Sequence, residues 1–169
     1  MATPHVSGVA VLLAAHDPGL SNVELKNRII STAKPLSTIK NKTKSGLANA
    51  YLALTNQVAP PDANDPANWA AKTVSVSSPH PYNKKSNEIY ELSVPGAKEI
   101  ALYFAKFESE KTYDKATLFD KKGTNIGEIS GNNDDTYSPV ISGDYVKVVF
   151  TSDESVEKYG FDISKIAYR

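Results

Sequence analysis

No cysteine occurs anywhere in the chain, which excludes disulfides, thiol catalysis and zinc–thiolate sites. No apolar run approaches the roughly 20 residues that a bilayer-spanning helix requires. The first residues lack a basic stretch followed by an apolar core and a cleavage site, so they do not read as a signal peptide. Net charge is missing too, because 19 Lys and Arg balance 19 Asp and Glu. Neither half of the chain has the dense basic stripe of a nucleic-acid binder. Disorder of the whole chain is excluded by 40% hydrophobic and only 22% charged residues.

What is present divides in two. Residues 1–56 hold six Lys and Arg against two Asp and Glu, a balance of +4, and residues 57–169 hold thirteen against seventeen, a balance of −4. Such asymmetry points to two units of different character. The first predicts helices. Thr3 to Ala15 is apolar on nearly every side, which reads as a buried helix, and Pro4 suits its first turn. His16 ends it, before Asp17-Pro18-Gly19. A second helix starts at Ser21, whose spacing to Glu24 is that of a capping box, and it ends near Ala33 with Leu25, Ile29 and Ile30 as its apolar stripe. Ser37 to Ser45 reads as a polar loop, and Leu47 to Leu54 as a third, short helix.

Residues 57–72, with Pro60-Pro61, Asp62, Asn64-Asp65-Pro66 and Asn68, read as a linker, Trp69 being tucked against a neighbour. Beyond it the apolar period becomes two. Strands are predicted at Ile89–Val94, Glu99–Phe104, Lys115–Phe119, Tyr145–Thr151 and Phe161–Tyr168, separated by turns at Pro95-Gly96, Lys122-Gly123, Gly131-Asn132-Asn133 and Ser142-Gly143-Asp144. Strands at this spacing without intervening helices predict an antiparallel β-sandwich over residues 73–169. The fold class is therefore α + β, helical first and then β.

The opening Met1-Ala2-Thr3-Pro4-His5-Val6-Ser7-Gly8-Val9-Ala10 resembles the segment after the nucleophile in subtilisin-like serine proteases, the subtilases. Their pattern is Gly-Thr-Ser-Met-Ala-Thr-Pro-His-Val-[Ser/Ala]-Gly, with the serine catalytic. Pro18-Gly19-Leu20-Ser21 and Gly46-Leu47-Ala48-Asn49-Ala50 follow the same family, so the resemblance covers residues 1–56, the C-terminal helices of its α/β domain. It implies a secreted, cell-surface or periplasmic endopeptidase acting on proteins or peptides. It also implies that the nucleophile stands one residue before Met1 and that the other triad members lie further upstream. These 169 residues are then catalytically inert. His5 and Ser7 do not replace the triad, because two residues apart on a helix they do not face each other. Thr3, Pro4, His5 and Gly8 are read as support for the helix that carries the nucleophile. Without the sheet these helices cover in the family, residues 1–56 expose apolar surface worth about 25 cal/mol per Å², so they are not expected to fold alone.

Residues 73–169 resemble a CUB domain. The resemblance rests on Ser78-Pro79-His80-Pro81-Tyr82, on Ile89 to Gly96, on Ile100 to Phe107, on Glu110 with Tyr113-Asp114, and on Phe150 to Val156 before Tyr159-Gly160-Phe161. In calcium-binding CUB domains the ion is held by one Glu and two Asp with a supporting Tyr. The resemblance carries these roles to Glu110, Asp114, Asp153 and Tyr82. Three carboxylates from two loops suit a hard cation, and left together they repel one another unless a metal, Lys111 or Lys115 compensates. The plainer alternative is three solvated loop acids beside a packing tyrosine. Asp134-Asp135 lacks the spacing of an EF-hand, and His80 reads as a turn residue. Two functions remain open: an accessory calcium-binding or recognition module of a protease, or a calcium-dependent protein- or glycan-binding module with no catalytic role.

Overall fold

The computed structural model describes residues 3–39, 43 and 45–169 and divides into two compact units, Met1–Asp62 and Ala63–Arg169. Met1 and Ala2 of the opening motif, and Lys40, Asn41, Lys42 and Lys44 of the polar loop, lie outside the described residues.

The first unit contains α1 (Thr3–His16), α2 (Asn22–Ser31) and α3 (Ala50–Thr55). Ser21 caps α2 as the spacing predicts: its hydroxyl accepts from Glu24 N at 3.3 Å while the Glu24 carboxylate accepts from Ser21 N at 2.8 Å. The third helix begins three residues later than expected. Gly46 and Leu47 are drawn instead into a bridge with Lys34, whose N–H and C=O exchange 2.8 Å hydrogen bonds with Leu47. Gly46 has φ +98°, and a side chain there would fall 2.0 Å from the Lys34 oxygen. Asn49 then caps α3 through a 3.1 Å bond from Leu52 N.

Leu13, Ile29, Ala33, Leu52 and Ala53 form the small interior of this unit. The buried helix expected at Thr3–Ala15 is not found: Leu13 is fully buried, but Val11 is 69% and Leu12 54% exposed. A helix apolar all round needs neighbours on every side, and α2 and α3 supply them on one. A methyl added to Gly8 would meet no atom within 4 Å. No helix among the described residues is long and apolar enough to cross a membrane.

The second unit is an antiparallel sandwich of β1 (Ala70–Ser77), β2 (Asn87–Ser93), β3 (Glu99–Glu108), β4 (Lys115–Phe119), β5 (Asn125–Ile129), β6 (Thr136–Tyr137), β7 (Ile141–Ser142), β8 (Tyr145–Thr151) and β9 (Gly160–Tyr168). One sheet runs β1-β9-β3-β6 with β7 also on β3, and the other runs β2-β8-β4-β5. All five predicted strands are present, and the two-residue period of β8 buries Val146, Val148 and Phe150 in turn. Between β3 and β9 the period is broken twice, leaving Ser164 and then Ala105 without an opposite residue. These bulges let Phe104 and Phe107 both face the interior although they are three apart, beside Phe161 and Ile163.

The β unit starts inside the stretch read as a linker, because β1 begins at Ala70. A short 3₁₀ turn at Pro66–Asn68 leads into it. Trp69 donates its indole N–H to Ala63 O at 2.7 Å, and the Arg169 guanidinium lies 4.6 Å from the indole centroid and donates to the same oxygen. The strand was hidden because its face alternates only weakly and its leading residues are exposed.

Gly160 opens β9 at φ +96° against Ser78, whose hydroxyl accepts from Phe161 N at 2.9 Å. A side chain at Gly160 would sit 1.9 Å from that hydroxyl oxygen. Gly160→Ala is therefore expected to cost about 1–3 kcal/mol for the backbone conformation and about 1 kcal/mol for the displaced hydrogen bond. Chemical denaturation of the full chain, followed by a β-unit signal, measures the loss.

Candidate metal centre

Topology brings the predicted ligands together. In the second sheet β8 lies between β2 and β4, and Thr151 at the end of β8 is paired with Lys115 at the start of β4 and Asn87 at the start of β2. The residues just before β4, just after β8 and just before β2 therefore meet at one edge. They carry Asp114, Asp153 and Tyr82. Glu110 comes from the same β3–β4 loop as Asp114.

Glu110, Asp114 and Asp153 each offer a carboxylate oxygen, and these oxygens lie within 4.8 Å of one another. Asp114 is 0% exposed, whereas the other two are half-buried. The buried carboxylate is satisfied by two neighbours. Tyr82 donates its hydroxyl to Oδ2 at 2.5 Å, and Asp153 N donates to Oδ1 at 2.8 Å. Glu110 N in turn donates to the Tyr82 hydroxyl at 3.1 Å. Burial, with the adjoining Asp114 carboxylate, pushes the Tyr82 phenol well above its ordinary range, so it stays a donor at any physiological pH.

Ser155 closes the open side. Its hydroxyl lies 2.7 Å from Asp153 Oδ1 and 3.0 Å from Glu110 Oε2, and its N–H donates to Asp153 Oδ1 at 2.7 Å. These Ser155 bonds, with a weaker attraction from Lys84, hold the Asp153 carboxyl below its usual value. Neither lysine proposed as a compensating charge does that work. Lys115 pairs with both Glu128 oxygens at 2.9 Å, and the Lys111 stem lies along Gly131. Among the described residues no ion pair joins a lysine or arginine to the three acids. A donor set of clustered carboxylate oxygens, one buried and prepositioned, suits a hard divalent cation such as calcium.

Thr3, Pro4, His5, Ser7 and Gly8 all lie exposed on α1. No catalytic triad is assembled among the described residues. Asp134 and Asp135 have structural roles: Asp134 accepts from Phe107 N and Lys106 Nζ, and Asp135 accepts from the Tyr103 hydroxyl. His80 is a turn residue as read, but in a cluster the sequence does not announce. Its ring stacks on Tyr159 at 4.0 Å, and its nitrogens lie 2.7 Å from Tyr159 O and 3.1 Å from Asp162 Oδ1. Ser155 and this cluster were both missed, because each joins residues whose relation appears only once the loops have converged.

Residues 67–164 match the model of the CUB domain and residues 1–53 that of the subtilase family. The chain belongs to the CUB domain family, with a subtilase-family segment ahead of the CUB domain. M-protease of Shouchella clausii is 47% identical over 53 residues, covering 31% of this chain and 14% of that protein. The chain spans between 14% and 19% of the length of the first curated relatives it matches. Among solved structures, the CUB1-EGF-CUB2 domain of human MASP-1/3 has a TM-score of 0.48 at 22% identity, covering 57% of this chain and 41% of that one. The MASP-1 CUB2 domain bound to Ca2+ has a TM-score of 0.43 at 23% identity, covering 59% and 91%.

Asp114 anchors this edge even without a metal. Asp114→Ala strands the Asp153 N–H and leaves the Tyr82 hydroxyl only the longer 3.2 Å bond to Val156 O, and should lower stability in chelator by about 1–3 kcal/mol, relief of carboxylate repulsion offsetting part of the loss. Glu110→Gln, which disturbs one half-exposed contact, should change it little; urea unfolding of the two variants compares them. Asp162 supplies a pH test. Burial alone would raise its carboxyl, and hydrogen bonds from Ser77, Tyr159 and His80 outweigh it, leaving the group below 3.8. Its contribution is fully present above about pH 4 and is lost as pH falls through the lowered value. The stability gap between wild type and Asp162→Asn should therefore be open at pH 5 and close on acidification toward pH 2.

Proposed function

We propose that this chain is part of an exported subtilisin-like serine endopeptidase whose CUB domain binds calcium as an accessory module. The single observation that carries the calcium reading is the convergence of carboxylate oxygens from Glu110, Asp114 and Asp153 within 4.8 Å of one another. The subtilase match over residues 1–53 supports the protease context. On this reading peptide-bond hydrolysis depends on residues outside these 169, and the substrates are proteins or peptides taken by the protease as a whole.

Glu110, Asp114 and Asp153 would hold the ion, and Tyr82 would support the site by fixing Asp114. When bound, calcium supplies positive charge that offsets the mutual repulsion of the three carboxylates and ties the β3–β4 loop to the segment after β8. The chain's own part is preorganisation. Asp114 is held by Tyr82 and by Asp153 N, and Ser155 keeps Asp153 and Glu110 on one side. That makes the CUB edge a firm surface, suited to steadying the protease or presenting a bound protein.

Thermal unfolding of the full chain tests the reading. An extracellular site of this kind is expected to have a Kd on the order of 10⁻⁴–10⁻³ M. At ten times Kd, calcium should add about 1.4 kcal/mol to the stability of the β unit, and Asp153→Ala should abolish the gain. Equal unfolding of wild type in calcium and in chelator removes the metal from the account.

A further inference from the structure

We propose that Ser109 is a positioning residue of the cation site, locking the loop that delivers Glu110 and Asp114 to the neighbouring 130–134 loop. The inference rests on the calcium reading above and goes beyond it, because Ser109 offers no ligand to the ion and stands outside the set assigned to it.

The chain turns from β3 into β4 through only six residues, 109–114, and both ends of that turn carry a ligand. Asp114 N donates to Glu110 O at 3.0 Å, closing a single turn. Thr112 within it takes φ +81°, a left-handed conformation that a β-branched residue adopts only when its surroundings impose it. Thr112 N lies 3.4 Å from the Ser130 hydroxyl, and Ser109 holds the turn from its other side. Its side chain is 1% exposed, and its hydroxyl donates to Asp114 O at 2.7 Å while accepting from Gly131 N at 3.1 Å. Its own N–H donates to Gly131 O at 3.0 Å. One residue therefore closes the ligand turn from inside and joins it, by side chain and backbone, to a second loop.

That second loop is itself fixed. Asn133 N donates to Phe107 O at 2.9 Å, and Asp134 accepts from Phe107 N at 2.8 Å. Gly131 at φ +78° lies against the Lys111 stem, and Glu108 bridges Asn132. The rigidity of β3 thus reaches the Asp114 backbone through Ser109. Partners that orient metal ligands commonly govern affinity by 10–100-fold. A ligand turn released from Gly131 has to be reordered when the ion enters, and affinity falls accordingly.

Calcium titration of the full chain by calorimetry, from chelator-treated buffer, tests this. Ser109→Ala should weaken calcium binding by about 10-fold or more, and Ser109→Thr, which keeps the hydroxyl, should restore it. Ser109→Cys keeps the volume with only a weak donor and should bind as poorly as the alanine variant, which covers the case in which alanine fails to fold. Ser138 is the control for a merely structural role. It is equally buried, accepts from Leu102 N at 3.0 Å and donates to Pro139 O at 2.8 Å, roughly 20 Å along β3 from the ligand turn. Ser138→Ala should lower the melting temperature yet leave the calcium Kd within about twofold of wild type. Wild-type affinity in Ser109→Ala and Ser109→Cys overturns the inference and leaves the calcium reading intact. Equal weakening in Ser138→Ala overturns it too, by showing general softening. A wild type that binds no calcium overturns the calcium reading and this inference with it.

Discussion

A carboxylate that is fully buried has to be satisfied on both oxygens, and that constraint at Asp114 organises one end of the sandwich. An ionised group out of water without partners is too costly to keep. Tyr82 and the Asp153 N–H meet the requirement, but each comes from a different connection, so meeting it brings the β1–β2, β3–β4 and β8–β9 segments together. Other contacts at this edge reinforce that arrangement. Lys85 N donates to Asp153 O at 2.7 Å, and the Ser152 hydroxyl bonds to Ser86 N and Asn83 O. The clustering of Glu110 and Asp153 beside Asp114 follows from where those loops must run.

The order of strands was legible because the core alternates cleanly. Phe150, Val148 and Val146 announce β8, and Lys115–Phe119 is found where it was predicted. The interior half of β3 was read to Phe104, but its continuation to Glu108 was not, because the bulge at Ala105 interrupts the period that defines a strand. β1 and β5 were missed for a related reason: each lies at a sheet edge, and an edge strand with exposed or glycine-bearing positions buries too little to imprint a pattern. The acids of the candidate site were found through family order rather than periodicity. Hydroxyl partners such as Ser109 and Ser155 carry no comparable signal, since a serine in a loop reads the same whether it binds water or a backbone carbonyl.

The helical unit shows the converse. Its local signals were read well, from the capping box at Ser21 to the short last helix. The all-round apolar pattern of α1 was read as burial, whereas its exposed Val11 and Leu12 agree with the expectation that these helices, without the sheet they cover in the family, expose apolar surface. Local propensity and capping act within a few residues, so they mark where α1 and α2 start and stop without saying what covers them, although helices this short depend on packing for most of their stability. Burial depends on partners, and α1 has them only around Leu13. Gly46 marks the boundary between these two kinds of information: the sequence Gly-Leu-Ala-Asn-Ala looks helical, but the backbone approach to Lys34 claims its first two residues.

The same contrast bears on what a cation can do in the β unit. In small metal domains the ion supplies the core and its removal unfolds the chain. Here the interior between the sheets is filled by Phe104, Phe107, Phe150, Phe161 and the aliphatic residues around them, without help from the acidic edge. The buried acid already has its hydrogen bonds from Tyr82 and Asp153. An ion at this edge would therefore act on the half-exposed Glu110 and Asp153 and on the turn between Glu110 and Asp114, firming a surface rather than making a fold. A site of that design can bind weakly and still matter, because the free energy it contributes is concentrated in the loops at the acidic edge and not spread through the core between the sheets.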